Sequence, residues 1–340
     1  MPAIDVRRVN PADETALHAW WDVGRIASAH DHVDDQWPAW ENAHRGWQRT
    51  DPARHWVRLA AHDGEATVGI ASLQLEDADN THLAILTLTV LPDQRGRGIG
   101  ATLLTAAEDV ARAEGRTVAL GFVVVPLGVD GKDGGHPDLD FARTRGYAVA
   151  GTEVVKVADV AATESRWPAL AAHAAEKTGG YRLVCWTDHA PEEHVDGMAQ
   201  LFSRFLGEIP LGEVDLRPAS WTVERIRESE ERWRASGRHH VLVAAVAPDG
   251  TLVGYSNLFI LDGRPDRAGI EATLVLPEHR GHRLGLALKV RLQQEVRARY
   301  PDVTRIATAN ADVNRWMNAV NDQLGYVAVE SSLDVQKELP

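Results

Sequence analysis

The sequence predicts a mixed α/β (α+β) chain made of two copies of one domain, and three observations carry that expectation. The stretch LPDQRGRGIGATLL at Leu91–Leu104 returns as LPEHRGHRLGLALK at Leu276–Lys289, which places Arg95 and Arg280 185 positions apart. Val90, Leu91 and Pro92 match Val275, Leu276 and Pro277 at that same spacing, as does TVGIASLQL from Thr67 with LVGYSNLFI from Leu252. In both copies an apolar run enters the glycine turn and a helical pattern leaves it. A repeat this long means duplicated domains and not a solenoid.

The elements follow in the same order in each copy. Apolar runs at Ile4–Val9 and Tyr181–Trp186 predict opening strands, and a proline-containing turn leads into amphipathic helical segments rich in Trp and His. Next comes a β-hairpin, with HDG at His62–Gly64 or PDG at Pro248–Gly250 as its turn. A third run, Ala84–Leu91 or Ile270–Leu276, reaches the glycine turn, and helices are expected over Ile99–Glu114 and Leu284–Tyr300. Strands at Thr117–Val125 and Val303–Thr308, a short helix, the pair Gly146-Tyr147 or Gly325-Tyr326, and final strands at Ala148–Val157 and Val327–Val335 close the units. The alanine-rich stretch Ala161–Gly180 has no counterpart and ends in Thr-Gly-Gly, which reads as a helical linker. The expected domains are therefore 1–158 and 181–340, joined by a linker at 159–180.

With 340 residues, 44% of them hydrophobic, the chain can bury two cores. Its formal net charge of −13 argues against a general nucleic-acid binder, because phosphate neutralisation needs clustered Lys and Arg; a cationic small molecule or basic peptide suits the field better. No apolar h-region opens the sequence and no run of eighteen apolar residues interrupts it, so a cytoplasmic protein with no membrane partner is expected. The single cysteine, Cys185 in YRLVCW, reads as a buried strand residue.

A strand, then Arg95-Gly96-Arg97-Gly98-Ile99-Gly100, then a helix is a recipe for holding a pyrophosphate. Glycines admit positive φ and close backbone approach, successive N–H groups converge, and the helix presents its positive end. The alternative is a glycine-rich loop with no ligand. A dinucleotide fingerprint also fits Gly96–Ala101 formally, but Pro92 and Asp93 separate strand from glycine, and Gly281-His282-Arg283-Leu284-Gly285 breaks the pattern.

These residues resemble the GNAT N-acetyltransferases, whose signature (Gln/Arg)-x-x-Gly-x-(Gly/Ala) is matched by Arg95–Gly100 and, except at its middle glycine, by Arg280–Gly285. Asn314-Arg-Trp-Met317 followed by Asn321 and Gly325-Tyr326 is similar to the family's later element, of which the first copy keeps Phe141 and Arg145-Gly146-Tyr147. The resemblance implies two tandem folds, each a mixed, mostly antiparallel sheet flanked by helices. It implies acetyl-CoA as acyl-donor cosubstrate, its pyrophosphate on the two loops with Asn314 nearby, and its pantetheine arm beside the main chain of Leu88, Val90, Thr273 and Val275. The acceptor it implies is a primary amine of a small molecule or peptide, and the chain would act as a monomer or homodimer.

Transfer to an amine requires a base for the ammonium proton and an acid for the leaving thiolate. Glu271 is the candidate base; strand alternation puts it on the face of Thr273 and Val275, and the other reading is a structural partner for an arginine. Its counterpart is Leu86. Where relatives place an acidic tyrosine this chain has Ala142 and Asn321, the latter expected on a helix surface, while Tyr147 and Tyr326 read as core aromatics. The first copy thus keeps the phosphate loop and the second the base, so chemistry is expected in the second and cofactor binding in the first. Asp31, Asp34 and Asp35 beside Trp20, Trp21, Trp37 and Trp40 offer a cation site, or else packed rings and solvated carboxylates. His30 and His32 lack a third metal ligand at sensible spacing, no metal is expected, and His239 and His240 read as solvated or capped. A protein that binds acyl-CoA without turnover, in a regulatory role, is the rival to an enzyme.

Overall fold

A computed structural model describes residues 4–129, 131 and 135–340, so the expected domain limit at residue 1 lies outside the described residues. The first elements are β1 (Asp5–Arg8), α1 (Glu14–Asp31), α2 (Trp40–Trp47) and the hairpin β2 (Arg54–Asp63) and β3 (Ala66–Glu76). β4 (Leu83–Val90), α3 (Ile99–Ala113), β5 (Val118–Val125), α4 (Pro137–Arg143) and β6 (Ala148–Asp159) follow. Two helices, α5 (Val160–Thr163) and α6 (Trp167–Ala175), fill the expected linker. Beyond them come β7 (Arg182–Thr187), α7 (Glu192–Glu208), α8 (Val223–Ala235) and the hairpin β8 (Arg238–Val246) and β9 (Leu252–Leu261). The remaining elements are β10 (Arg264–Val275), α9 (Leu284–Arg299), β11 (Arg305–Ala311), α10 (Arg315–Leu324) and β12 (Val327–Glu338). Among the described residues no helix is long and apolar enough to cross a membrane.

The chain forms two compact units whose limits differ from the sequence copies. One contains residues up to Thr152 together with Gly212–Asp215 and Glu330–Pro340; the other contains Glu153–Leu211 and Leu216–Val329. We call these the N-unit and the C-unit. The boundaries 158 and 181 are corrected by strand pairing: β12 completes the N-unit against β5, from Ser331↔Val125 to Glu338↔Val118. β6 instead joins β11, from Ala311↔Glu153 to Arg305↔Asp159, and the linker helices pack into the C-unit through Trp167 and Ala174. Each copy therefore gives its last strand to the other unit.

Each sheet is antiparallel except at one parallel pair. The N-unit order is β1-β2-β3-β4-β5-β12, and the C-unit order is β6-β11-β10-β9-β8-β7. β4 and β5 pair in parallel only from Leu83↔Val118 to Leu86↔Gly121, and β10 and β11 only from Arg267↔Arg305 to Gly269↔Ala307. Beyond those points the strands lose each other, leaving a splay at the end where the glycine turns begin. Alternating apolar residues put Leu73, Leu75, Ala84 and Leu86 into the N-unit core, and the exchanged strand adds Leu333 and Val335. α3 covers that core with one stripe, Ile99, Leu103, Leu104, Ala107 and Ala111.

Candidate active site

In the N-unit the splay opens into a cleft of about 720 Å³, lined by Leu86–Val90 of β4, Gly121–Val124 of β5, the glycine turn, Asp31, His32, Trp37, Phe141 and Val335. α1 reaches this cleft because Asp13 caps its start, accepting from Ala16 N–H at 3.0 Å, and because Leu17, Trp20, Val23 and Ala27 bury one face. Gly24 takes the Trp37 ring directly against its backbone, where any β-carbon would collide. Arg95 ties the ends of β4 and α1 together. Its Nε donates to Val90 O at 3.1 Å, and its two terminal nitrogens donate to the Asp31 carboxylate at 2.9 and 2.5 Å. Partial burial works to raise the Asp31 carboxyl, but the Arg95 hydrogen bonds and charge, helped by His30, hold it below its ordinary value.

The turn itself presents backbone to open space. Gly96 and Gly98 have φ of 75° and 83°, and a β-carbon on either would meet nothing within 4 Å. Such a cradle, with N–H groups at the start of α3, fits a pyrophosphate. Arg97 turns aside to Asp63, at 2.7 Å, and to Gln94. Ile99 enters the core, while Gly100 lies under the Phe141 ring, over which Arg145 sits at 3.8 Å.

The C-unit repeats the frame with different occupants. Arg280 Nε donates to Val275 O at 3.1 Å, as Arg95 does to Val90, and its guanidinium lies 3.5 Å from Glu208 at the end of α7. Gly281 has φ of 86°, and Arg283 stands at the helix start with φ of 55°. Its side chain points at the linker: Nη1 donates to His173 O at 2.5 Å and to the Glu176 carboxylate at 2.7 Å. His282 reaches Lys177 O and packs on Tyr181, which also bonds His279 at 2.9 Å. Leu284 is buried, and a β-carbon on Gly285 would meet the end of Met317. The linker segment is therefore tied to the side chains of this turn, while Gly281 still faces open space.

Glu271 is not a free carboxylate. The register between β9 and β10 slips at Glu271, a bulge that interrupts the alternation expected to align it with Thr273 and Val275. Arg238 pairs with one carboxylate oxygen, while Asn257 Nδ2 and His240 Nδ1 hold the other at 2.7 and 3.2 Å. Burial alone would raise its carboxyl; the Arg238 charge and the His240 and Arg238 hydrogen bonds bring it down to about 2. Both carboxylate oxygens are thus engaged, one of them by an arginine, as the alternative reading of the sequence expects.

Comparisons with known proteins give this geometry its family. The model of the acetyltransferase (GNAT) family matches residues 16–126 and 210–326. The chain belongs to the GNAT family. A tandem GNAT protein from the clavulanic acid biosynthesis pathway, solved without AcCoA, shares 25% identity, with 99% of each chain covered and a TM-score of 0.80. A GCN5-related N-acetyltransferase from Sphaerobacter thermophilus shares 17% identity over 99% of this chain and 96% of its own, with a TM-score of 0.65. No curated protein matches the sequence. The tandem GNAT fold is thus established, and the GNAT family makes acyltransfer from a CoA thioester the general chemistry.

Other residues singled out in this GNAT sequence fall as follows. Asn314 caps α10, accepting from Met317 N–H at 3.2 Å. Asn321 is fully buried and donates to Asn310 at 2.6 Å, which corrects its expected surface position: α10 turns this position inward, toward β11. Tyr147 and Tyr326 are buried, Tyr147 donating to Glu108 at 3.2 Å. Cys185 is half-buried on β7, with its thiol pushed up to about 11 by burial. Trp20, Trp40 and Trp47 pack edge to face, and Trp20 donates to Leu59 O at 3.0 Å. Of the aspartates Asp31 is exposed, Asp34 is buried beside Gln36, and the half-buried Asp35 accepts from Ser28 at 2.5 Å and from Trp37 N–H. His240 is buried under Trp233 and His239 bridges Asp188 and Asp262, so neither is a solvated histidine. Among the described residues no group of three or more His, Cys, Asp or Glu is placed to hold a metal.

Sequence reasoning found the turns and missed two polar features. One is the pairing of His32 with Glu330, 298 positions away, for which no local signal exists. The other lies inside the C-unit. Lys289 is fully buried, its ammonium brought down to about 7 by burial and by Lys156, and it replaces Leu104 of the first copy. The helical spacing that marks position 289 as interior was readable; its polar neighbours Gln293 and Tyr326 were not.

Proposed function

We propose that the chain is an acetyl-CoA-dependent N-acetyltransferase whose working cleft is that of the N-unit, with a primary amine of a small molecule or peptide as acceptor. The observation that carries this reading is the open cradle of Gly96 and Gly98 at the mouth of the splayed cleft. Bound there, acetyl-CoA would supply an activated acetyl thioester. The amides from Gly96 to Gly100 would hold its pyrophosphate, and the unpaired edge of Leu88 and Val90 would pair with its arm, as β4 hydrogen bonds to β3 on its other side. Arg95 fixes the strand end, and the apolar walls Leu86, Val123 and Phe141 keep water from the reacting carbonyl.

The formal net charge of −13 favours a cationic acceptor. Likeness to a tandem protein of clavulanic acid biosynthesis supports a small-molecule amine. For the C-unit we favour a structural or regulatory role, because its turn carries Arg283, whose side chain is tied to the linker at His173 and Glu176. In this reading Glu271 supports the sheet and the base lies elsewhere.

Calorimetry with acetyl-CoA and thiol release from it with a panel of polyamines, aminoglycosides, amino-acid amides and lysine peptides test this. One tight site per chain and release that depends on an amine are expected. Tight binding with no amine-dependent release across the panel would leave the acyl-CoA-binding reading in its place.

A further inference from the structure

We propose that His32 is the general base of the N-unit cleft and that Glu330, brought to it by the exchanged strand β12, is its positioning residue. The proposal rests on the N-acetyltransferase reading above and names the group which that reading leaves unassigned.

The chain leaves α1 at His32, whose backbone turns extended, with φ of −106° and ψ of 135°, while its N–H still donates to Ser28 O. That turn places the imidazole in the wall of the cleft beside Ser28, Asp31 and the end of β4. Behind it lies Glu330, 5% exposed. Its two oxygens face His32 Nδ1 at 3.3 Å and Val33 N–H at 3.1 Å, and among the described residues it has no Lys or Arg partner. A carboxylate this buried needs its charge answered, and the imidazole is the group placed to answer it. With Nδ1 turned to the carboxylate, Nε2 is the ring atom left for a proton from the cleft, and His32 has no other polar partner among the described residues.

The surroundings favour that proton. The hydrogen bond to Glu330 raises the imidazole above its ordinary value; burial opposes this, and the charges of Glu330, Asp31 and Asp35 add to it. Arg95, at the glycine turn, is engaged by Asp31, and Asp138 and Arg145 also line the cleft. The C-unit lacks the device. Glu208 faces Arg280 as Asp31 faces Arg95, but Ile209 and Pro210 follow it where the N-unit has His32.

The step balances. His32 Nε2 takes one proton from the acceptor ammonium, the freed amine attacks the thioester carbonyl carbon, a C–N bond forms and the C–S bond breaks. The thiolate leaves with its electron pair and takes the second amine proton, and the imidazolium returns its proton to solvent. The products are the amide, CoA thiol and one proton.

The full-length protein is compared with His32→Asn, Glu330→Gln and Glu330→Asp, using acetyl-CoA and whichever panel amine gives the fastest thiol release. All forms are expected to bind acetyl-CoA alike. For His32→Asn, kcat at pH 7 is expected to fall roughly 10²- to 10³-fold. Glu330→Gln is expected to lower kcat about tenfold and to move the acidic midpoint of its pH profile down by about one unit, with Glu330→Asp recovering part of both. His32 titration by NMR in the unsubstituted protein, expected above the ordinary histidine value, checks the pair even if a Glu330 variant unfolds. Wild-type kcat in His32→Asn, an unmoved acidic midpoint in Glu330→Gln, or an ordinary His32 titration overturns the proposal alone. Absence of acetyl-CoA binding, or of release with every amine, removes the acetyltransferase reading and this proposal with it.

Discussion

Gly98 and Arg283 stand at the same place, the residue before the helix, and both have left-handed backbone, with φ of 83° and 55°. Their surroundings part company. Gly98 borders open space at the mouth of a cleft, whereas Arg283 reaches back to His173 and Glu176 of the linker segment. The helices that follow show the same difference. α3 buries one stripe, but α9 is buried through Leu286, Ala287, Leu288, Lys289 and Val290 in succession, because α6 packs over it. A duplicated turn therefore keeps its backbone, while the residue before the helix gains fixed partners in the added segment between the copies. Left-handed strain of about 1 kcal/mol at a non-glycine residue is tolerated where the side chain gains fixed partners.

The largest expected effect separates the turns. Gly98→Val forces a β-branched residue to positive φ and narrows the cradle, so acetyl-CoA affinity should fall roughly 10- to 100-fold by calorimetry. Gly281→Val carries the same strain in the C-unit and should lower thermal stability while leaving that affinity within about threefold. Equal losses of affinity from both would break the comparison.

Next comes Glu271. Its replacement by Ala strands Arg238 and His240 on a partly buried strand and should cost about 2 kcal/mol in denaturant unfolding at pH 7. With the folded carboxyl at about 2 against an ordinary 4.5, its contribution is fully present above pH 4.5 and is lost as pH falls toward 2. The stability gap between wild type and Glu271→Gln should close across that window, and thiol release should survive the substitution. Loss of release with unchanged stability would restore Glu271 as a base and move chemistry to the C-unit.

The smallest effect concerns the arginine clamp. Asp31→Asn removes a negative charge from the cleft and frees Arg95, so acetyl-CoA should bind about two- to fivefold more tightly at low salt, the gain shrinking as salt rises. Weaker binding would mean that Asp31 positions Arg95 for the nucleotide.

Much of the fold was legible because its signals are local. The glycine turns, both hairpins and the strand into the first turn lie within a few residues of their expected limits: β4 spans Leu83–Val90 where Ala84–Leu91 was expected, and α3 spans Ile99–Ala113 against Ile99–Glu114. β10 begins earlier than expected, at Arg264, since Arg264 and Ala268 still pair with β9 across an irregular register. The site was half legible. Gly96 and Gly98 announce themselves by type and spacing, but His32 invited only a metal reading, and Glu330 carries no mark in the run VAVESSLDV.

By itself the sequence determined the duplication, the order of elements, the two strand–glycine turn–helix segments and the divergence of Gly98 from Arg283. Only the tertiary structure decided which strand closes which sheet, which turn is tied to the linker, and that Glu330 meets His32 while Glu271 meets Arg238. The physical reason is that periodicity and backbone conformation are encoded over a few residues, whereas an apolar strand such as Val327–Glu338 fits any edge that buries Leu333 and Val335. Its partner is chosen by packing across the whole chain, and that choice carries a carboxylate to the imidazole that needs it.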